Sequence, residues 1–448
     1  MNNNILREYD IRGLYPNDIN ENVSKLIGHK FGSFLRGLKY NEVIVGYDVR
    51  LSSESLKTAI IEGLLKSGID VIDIGKVSTP MVGFATIYYH TAGIMVTASH
   101  NPKDENGFKL FLKDNYALSG KNIKEFYRYV KTDYNENGKG NYRAENIFDN
   151  YKQALFNNLS FGDRKLNIVV DPGSGSAALN VKNIFNDLPF NITYICDTPD
   201  GNFPFHHPDP NVEDNLKMLK EKVLEIKADF GVAYDGDADR IGLIDNNGKF
   251  LTADYIMIIF WHYLANKIEN KTLYDVKCSM ALKEELDKLG VKSICYKTGA
   301  PNVKNKINEL NIPFGGEYSG HLVFKDKYFG IDDGIYASLR LFEIFSNNNK
   351  SISDELKDVN NYLSTGEIKI KTTDDKKFVV VEKVKEYCNK MEYNFLNIDG
   401  VRIENEKYMI SFRASNTGPN LTFKVEAIDK DILNNKKEEF LNIININL

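Results

Sequence analysis

Short apolar runs, each broken by glycine and polar residues, recur along the chain. Residues 43–47 (VIVGY) are followed by 53–66, where Leu56, Ile60, Leu64 and Leu65 share a helical face. Two further runs follow at 69–74 and 93–97 (GIMVT), the last leading straight into Ala98-Ser99-His100-Asn101-Pro102. A continuous apolar run of this length reads as a strand covered on both faces, and the three-to-four spacing as a covering helix. Ser53 is the expected N-cap of that helix and Gly68 its stop. The order is strand, helix, strand, which points to a parallel or mixed sheet.

The same unit returns twice. A strand at 166–170 breaks at Asp171-Pro172-Gly173-Ser174-Gly175-Ser176, and a helix follows. A strand at 230–234 ends in Asp235-Gly236-Asp237-Ala238-Asp239-Arg240. The third unit starts near Thr272, passes through a helix to Gly290 and a strand at 293–296, and carries the later loop Gly315-Gly316-Glu317-Tyr318-Ser319-Gly320-His321. Ligands of open α/β sheets sit beyond the carboxyl ends of the strands, so several such edges can share one cleft. After Asn347-Asn348-Asn349 the texture changes. A helix at 377–391, strands at 409–413 and 421–425 and a last helix predict a small α+β domain. The expected fold is therefore α/β, with three related mixed-sheet domains at 1–150, 151–252 and 253–362 and a smaller α+β domain at 363–448.

Composition adds exclusions. The chain has 448 residues, 42% hydrophobic and 27% charged, enough for about three or four domains with buried cores. A net charge of −5 argues against general nucleic-acid binding, which needs basic surface. The most apolar long stretch, 255–265, falls short of the ~20 residues that span a bilayer and reads as a buried helix. Four cysteines without CxxC spacing and a start, MNNNILREYDIRG, without a basic-then-apolar leader predict a cytoplasmic protein with no membrane partner.

Each polar strand end then offers chemistry. Asp235, Asp237 and Asp239 would repel one another unless a cation sits among them, and Mg²⁺ prefers such hard oxygen ligands. An acidic surface turn would have the same spelling. Ser99 stands at the end of a buried strand beside His100, with Lys109 ten residues on; a serine needs such neighbours to act as a nucleophile. The same residues make ordinary turns. No Gly-x-Ser-x-Gly elbow is present, which lowers a hydrolase reading. Arg413, Ser415, Asn416 and Thr417 combine a guanidinium, hydroxyls and an amide suited to phosphate, although a polar hairpin loop has the same composition. Glu317 and Ser319 can accept and donate to sugar hydroxyls, with His321 either a partner or a structural histidine. Arg7, Tyr9 and Arg12 are equally open.

The combination carries more than its parts. From REYDIRG through TASHNP, DGNFPFHHPDP, DGDADR, DVKCS, GGEYSGH and YFGIDDGIYAS to RASNTGP, the whole chain resembles the α-D-phosphohexomutase family, most closely its bacterial phosphomannomutase/phosphoglucomutase branch. The resemblance implies a heart-shaped four-domain enzyme with its active site at the domain junction. Ser99 would be a phosphoserine, itself a ligand of Mg²⁺ with Asp235, Asp237 and Asp239, and Arg240 would neutralise the transferring phosphoryl. Glu317 and Ser319 would read O3 and O4 of the sugar. Arg413, Ser415, Asn416 and Thr417 would hold the resting phosphate. Tyr9, Arg12, His100, Lys109, Lys277 and His321 match supporting positions, with His100 and Lys109 as proton-transfer helpers. The substrates would be hexose phosphates, and glucose or mannose 1,6-bisphosphate the activator.

Three departures accompany it. Ala238 replaces the middle glycine of DGDGDR, which a negative φ would accommodate. Ala300 stands where a close branch has histidine, and Gly418 where many relatives have Glu or Thr. Within the superfamily, a phosphoglucosamine mutase favours SerGlyThr where this chain has Ser415-Asn416-Thr417. A non-catalytic sugar-phosphate-binding protein and a Mg²⁺ phosphatase are the alternatives of other classes.

Overall fold

The computed structural model describes residues 3–130, 138–416 and 418–448. Four sheets follow one another along the chain. In the first, Glu42–Tyr47 runs parallel to Asp70–Lys76 and to Ala92–Val96, while Glu105–Leu112 pairs antiparallel with Ala92–Val96 and with the N-terminal strand Ile11–Leu14. In the second, Phe230–Tyr234 is parallel to Asn167–Asp171 and antiparallel to Ile241–Asp245. In the third, Lys271–Asp275 is parallel to Lys292–Tyr296, and Phe314–Gly316 turns back antiparallel into Leu322–Phe324. All three are mixed sheets with helices packed on them. The fourth is wholly antiparallel and built around Tyr408–Ala414 and Asn420–Ala427. The fold is thus three α/β domains and a C-terminal α+β domain.

The strands form where the apolar runs lie because all five residues of Ala92–Val96 and of Phe230–Tyr234 are buried. The helix Ser53–Ser67 begins one residue earlier than expected. Ser52 takes the N-cap position without a side-chain cap bond, and the Ser53 hydroxyl instead donates to Asp48 Oδ1 at 2.5 Å. Gly68 ends that helix with φ 84°, the left-handed stop that glycine favours. The 255–265 run is the helix Ala253–Leu264, packed among Phe314, Phe324 and Tyr336. Among the described residues, no helix is long and apolar enough to cross a membrane.

One apolar cluster runs through the first three domains, from Ile44 and Val82 through Val170 and Val232 to Phe324 and Phe342. The fourth domain has its own, around Val380, Phe412 and Phe440. Strand ends from all four domains face one junction.

Candidate active site

Ser99 follows the buried strand Ala92–Val96 and has φ 55°, a left-handed conformation that non-glycine residues avoid. Its neighbours hold it there. The Ser99 amide donates to Thr97 Oγ1 at 2.9 Å, and that hydroxyl donates to Asp48 Oδ2 at 2.7 Å. The Arg50 guanidinium donates to the carbonyls of Ser99 (2.8 Å), Asn101 (2.6 Å), Pro102 (2.6 Å) and Glu105 (3.0 Å), with Asp48 beside it at 3.2 Å. Arg12 pairs with Asp10 at 2.6 Å and donates to Asn101 Oδ1 at 2.9 Å. So fastened, the Ser99 hydroxyl donates to Asp235 Oδ2 at 2.8 Å and lies 3.3 Å from His100 Nδ1. Burial, together with Arg240 and Arg12, holds His100 well below the usual histidine range, so its imidazole is neutral.

The Asp235 loop arrives from the second domain. Gly236 is required where the two loops meet, because a Cβ there would lie 2.4 Å from the Ser99 carbonyl oxygen. Ala238 takes φ 65°, not the negative value that would have accommodated its methyl without strain, and that methyl is fully buried. One oxygen each from Asp235, Asp237 and Asp239 lies within 4.8 Å of the others. Lys109 Nζ bridges Asp237 Oδ2 (2.6 Å) and Asp239 Oδ2 (2.5 Å), and Thr79 Oγ1 donates to Asp237 Oδ2 at 2.5 Å. Among the described residues, Asp237 Oδ1 is buried with no hydrogen-bond donor. Three converging carboxylates and an orphaned oxygen fit a hard divalent cation. Burial and the two neighbouring aspartates push Asp235 well up; burial acts the same way on Asp239, but Lys109 and His321 outweigh it and hold that carboxyl low. Arg240 Nε lies 3.6 Å from Asp235 Oδ2.

The third domain supplies the loop between Phe314–Gly316 and Leu322–Phe324. Glu317 Oε1 accepts from the Gly299 amide at 2.6 Å, and Ser319 Oγ lies 3.0 Å from His321 Nδ1. The His321 ring stands between Glu317 Oε2 and Asp239 Oδ1, 3.2 Å from each. Burial opposes its charge, but Asp239 prevails and raises it to about 9. This histidine therefore links the loop with the aspartates. Ala300 opens the helix Ala300–Glu309 and faces the same space.

From the fourth domain, Arg413 near the end of Tyr408–Ala414 pairs with Asp399 at 2.8 Å. With its amide turned to satisfy both groups, Asn416 donates to Glu8 Oε2 at 2.8 Å and accepts from Arg413 at 2.9 Å. Lys277 pairs with Glu367 at 3.0 Å. Thr417 lies outside the described residues. The four loops enclose a cavity of about 690 Å³. Tyr9, Arg12, Ser99, His100, Lys109, Asp239, Arg240, Lys277, Glu317, Ser319, His321, Arg413, Ser415 and Asn416 all line it, and Asp235 and Asp237 lie buried beneath. The sequence reasoning missed Asp48, Arg50, Thr79 and Glu367. A charged pair placed directly after the strand Glu42–Tyr47 was the one available signal, for Asp48 and Arg50.

A junction cleft built from three related α/β domains and an α+β domain, with a cation trap against a held serine hydroxyl, suits an intramolecular phosphotransferase. Family models for the α/β/α domains I, II and III of phosphoglucomutase/phosphomannomutase match residues 3–137, 149–248 and 252–362. The chain is 36% identical over 427 residues to a phosphomannomutase/phosphoglucomutase of Pseudomonas syringae, covering 94% of this chain and 91% of that one. A phosphomannomutase of Methanocaldococcus jannaschii is 33% identical, with 98% and 97% covered. The crystal structure of a phosphoglucomutase/phosphomannomutase family protein from Burkholderia thailandensis superposes with a TM-score of 0.91 at 32% identity, over 99% of this chain and 97% of that one. The chain belongs to the phosphoglucomutase/phosphomannomutase family.

Proposed function

We propose that this enzyme interconverts hexose 1-phosphates and hexose 6-phosphates, of glucose, mannose or both, through phosphorylated Ser99 and a 1,6-bisphosphate. The observation that carries the reading is the Ser99 hydroxyl held on Asp235 at 2.8 Å, in the same cavity as the Arg413 loop. That cavity has room for one group to react while a second phosphate is gripped.

In the first half-reaction O6 of a hexose 1-phosphate attacks the phosphorus on Ser99. The new bond is O6–P, the Oγ–P bond breaks, and the O6 proton passes through a base to the departing Oγ. His100, neutral and beside Oγ, suits that task; Lys109, kept charged by two aspartates, supplies positive charge instead. The bisphosphate then turns over, and Ser99 Oγ takes the phosphoryl from O1, its own proton passing to O1 by way of His100. Asp235, Asp237 and Asp239 would hold Mg²⁺, which neutralises charge on a transferring phosphoryl when bound. Arg240 adds a guanidinium at the same place. Glu317 and Ser319 recognise O3 and O4, which sit alike in both poses of the sugar, so discrimination at C2 is weak. Arg413, Ser415, Asn416 and Thr417 grip the resting phosphate, with Tyr9 and Lys277 around it, while Arg12 adds positive charge beside the Ser99 loop. Glucose or mannose 1,6-bisphosphate recharges Ser99. The catalytic units are 1–150, 151–252, 253–362 and 363–448, and each sheet falls inside one of them.

The test is a coupled assay for glucose 6-phosphate from glucose 1-phosphate, with Mg²⁺ and a trace of glucose 1,6-bisphosphate. Ser99→Ala should lose at least about 10³-fold in kcat, the scale on which removing a nucleophile acts. Turnover of mannose 1-phosphate settles the second sugar. Full activity in Ser99→Ala, activity on glucosamine phosphate alone, or phosphate release outpacing isomerisation would each overturn the reading.

A further inference from the structure

Asp171 closes the strand Asn167–Asp171, and Cys196 lies two residues beyond its parallel neighbour Asn191–Tyr194. This is the edge where open α/β sheets collect ligands. His206 returns to the same point from the loop 197–212. One donor atom each of Asp171, Cys196 and His206 lies within 4.8 Å of the other two. None of the three lines the central cavity.

Two of the donors are fixed in their aim by hydrogen bonds, and the third is set by its backbone. Asp171 Oδ1 accepts from the Gly173 amide at 2.9 Å, which leaves Oδ2 facing His206 Nε2 at 3.0 Å. His206 Nδ1 is 3.0 Å from the His207 carbonyl oxygen. An imidazole that donates one ring N–H to a backbone carbonyl presents the other nitrogen as a metal ligand. Cys196 is buried with φ 46°, a left-handed conformation unusual for a residue with a β-carbon, and its carbonyl accepts from the Ser174 amide at 2.8 Å.

We infer that Asp171, Cys196 and His206 form a second metal site, for a borderline-soft divalent cation of the zinc type, with water as the fourth ligand. Thiolate, imidazole and carboxylate are the ligand types zinc takes together, whereas Mg²⁺ avoids sulfur. Nitrogen and oxygen ligands of tetrahedral zinc stand about 3.3 Å apart, so the His206–Asp171 gap needs to open by only a few tenths of an ångström. Binding releases two protons to solvent, one from the Cys196 thiol and one from His206 Nε2, which otherwise donates to Asp171 Oδ2. The cation ties the loop carrying His206 to the strand ends beneath it. That loop braces the central cleft: Phe203 packs 5.3 Å from the Arg50 guanidinium, and Asn211 donates to the Ser319 carbonyl at 2.5 Å.

Cobalt(II) separates this site from the three aspartates, because a cobalt–thiolate bond gives a strong near-ultraviolet charge-transfer band and an all-oxygen site gives none. The full chain is titrated with cobalt chloride, beside Asp237→Asn, Cys196→Ala and His206→Gln. The band should saturate at one cobalt per chain in the wild type and in Asp237→Asn, and vanish in Cys196→Ala. His206→Gln, which keeps the thiol, should bind at least about tenfold more weakly. X-ray absorption of the zinc-loaded chain should give one sulfur at about 2.3 Å. No band in the wild type at saturating cobalt, a band surviving in Cys196→Ala, or affinity unchanged in His206→Gln would overturn the assignment. Because the readout is spectroscopic, its failure is independent of the mutase assay.

Discussion

Arg50 uses two nitrogens to gather four carbonyls of one loop, those of Ser99, Asn101, Pro102 and Glu105. A planar guanidinium can do this because its donors form a rigid fork; an ammonium on a flexible stem cannot. Arg50→Lys keeps the charge beside Asp48 but leaves part of the carbonyl set without a donor. The expected cost is about 2 kcal/mol of stability, the scale of a buried unsatisfied group. The expected kinetic cost is larger, about 100-fold in kcat with KM little changed, because in the proposed reaction a serine displaced by an ångström no longer lines up with the sugar oxygen. Urea unfolding and steady-state kinetics on the same preparation check both, and an unaltered kcat would show that the loop holds its shape without the fork. Ala238 shows the opposite relation between side chain and backbone. Its φ of 65° carries a left-handed cost of about 1–2 kcal/mol, and burying the methyl, worth about 0.8 kcal/mol, offsets only part of it. Alanine at this position therefore keeps a net cost of up to about 1 kcal/mol.

Between elements, His262 joins three helices. On the helix Ala253–Leu264, it lies 3.2 Å from Glu285 of Met280–Lys288 and 2.7 Å from Glu355 of Ile352–Glu355. Burial works against its charge, but the two carboxylates raise its pKa above the ordinary 6.5. A raised folded value means that the charged ring stabilises fully below pH 6.5 and that this stability is lost as pH climbs through the folded value. His262→Gln should thus cost about 1–2 kcal/mol at pH 6 and progressively less toward alkaline pH, measured by urea unfolding across the range. A cost independent of pH would mean that the ring acts through packing alone. The helices and central strands around it were legible in the sequence because burial on both faces leaves an uninterrupted apolar run, as in Phe230–Tyr234. The candidate site was legible where its chemistry is spelled in consecutive residues, as in Asp235 to Arg240. What stayed hidden depends on pairing across the chain: Arg50 meets carbonyls about fifty residues away, and Thr79 meets Asp237 across a domain boundary. Ser53 was misjudged as a cap because the sequence does not reveal that Asp48 competes for its hydroxyl.

At the scale of the whole molecule, the first three domains share an apolar core and the fourth does not. Its hydrogen-bonded seam with the third domain is polar. Arg402 donates to the carbonyls of Val276 (2.6 Å) and Cys278 (2.8 Å), Ser279 donates to Glu426 at 2.8 Å, and Lys277 pairs with Glu367 at 3.0 Å. Toward the first domain it meets Arg7 through Asp374 at 3.6 Å and Glu8 through Asn416. Water can replace such contacts at little net cost, whereas parting the shared core would expose apolar surface at about 25 cal/mol per Å². The fourth domain is therefore the one free to rotate, and it carries the Arg413 loop. A phosphoserine must be shielded from water, so closure by that rotation, drawn by a gripped phosphate, fits the proposed reaction. X-ray scattering should give a smaller radius of gyration with saturating glucose 1,6-bisphosphate than without it. Arg413→Ala, which removes the guanidinium proposed to grip the phosphate, should need more ligand for the same compaction. A radius unmoved by ligand at concentrations that saturate turnover would mean that the cleft excludes water with all four domains held still.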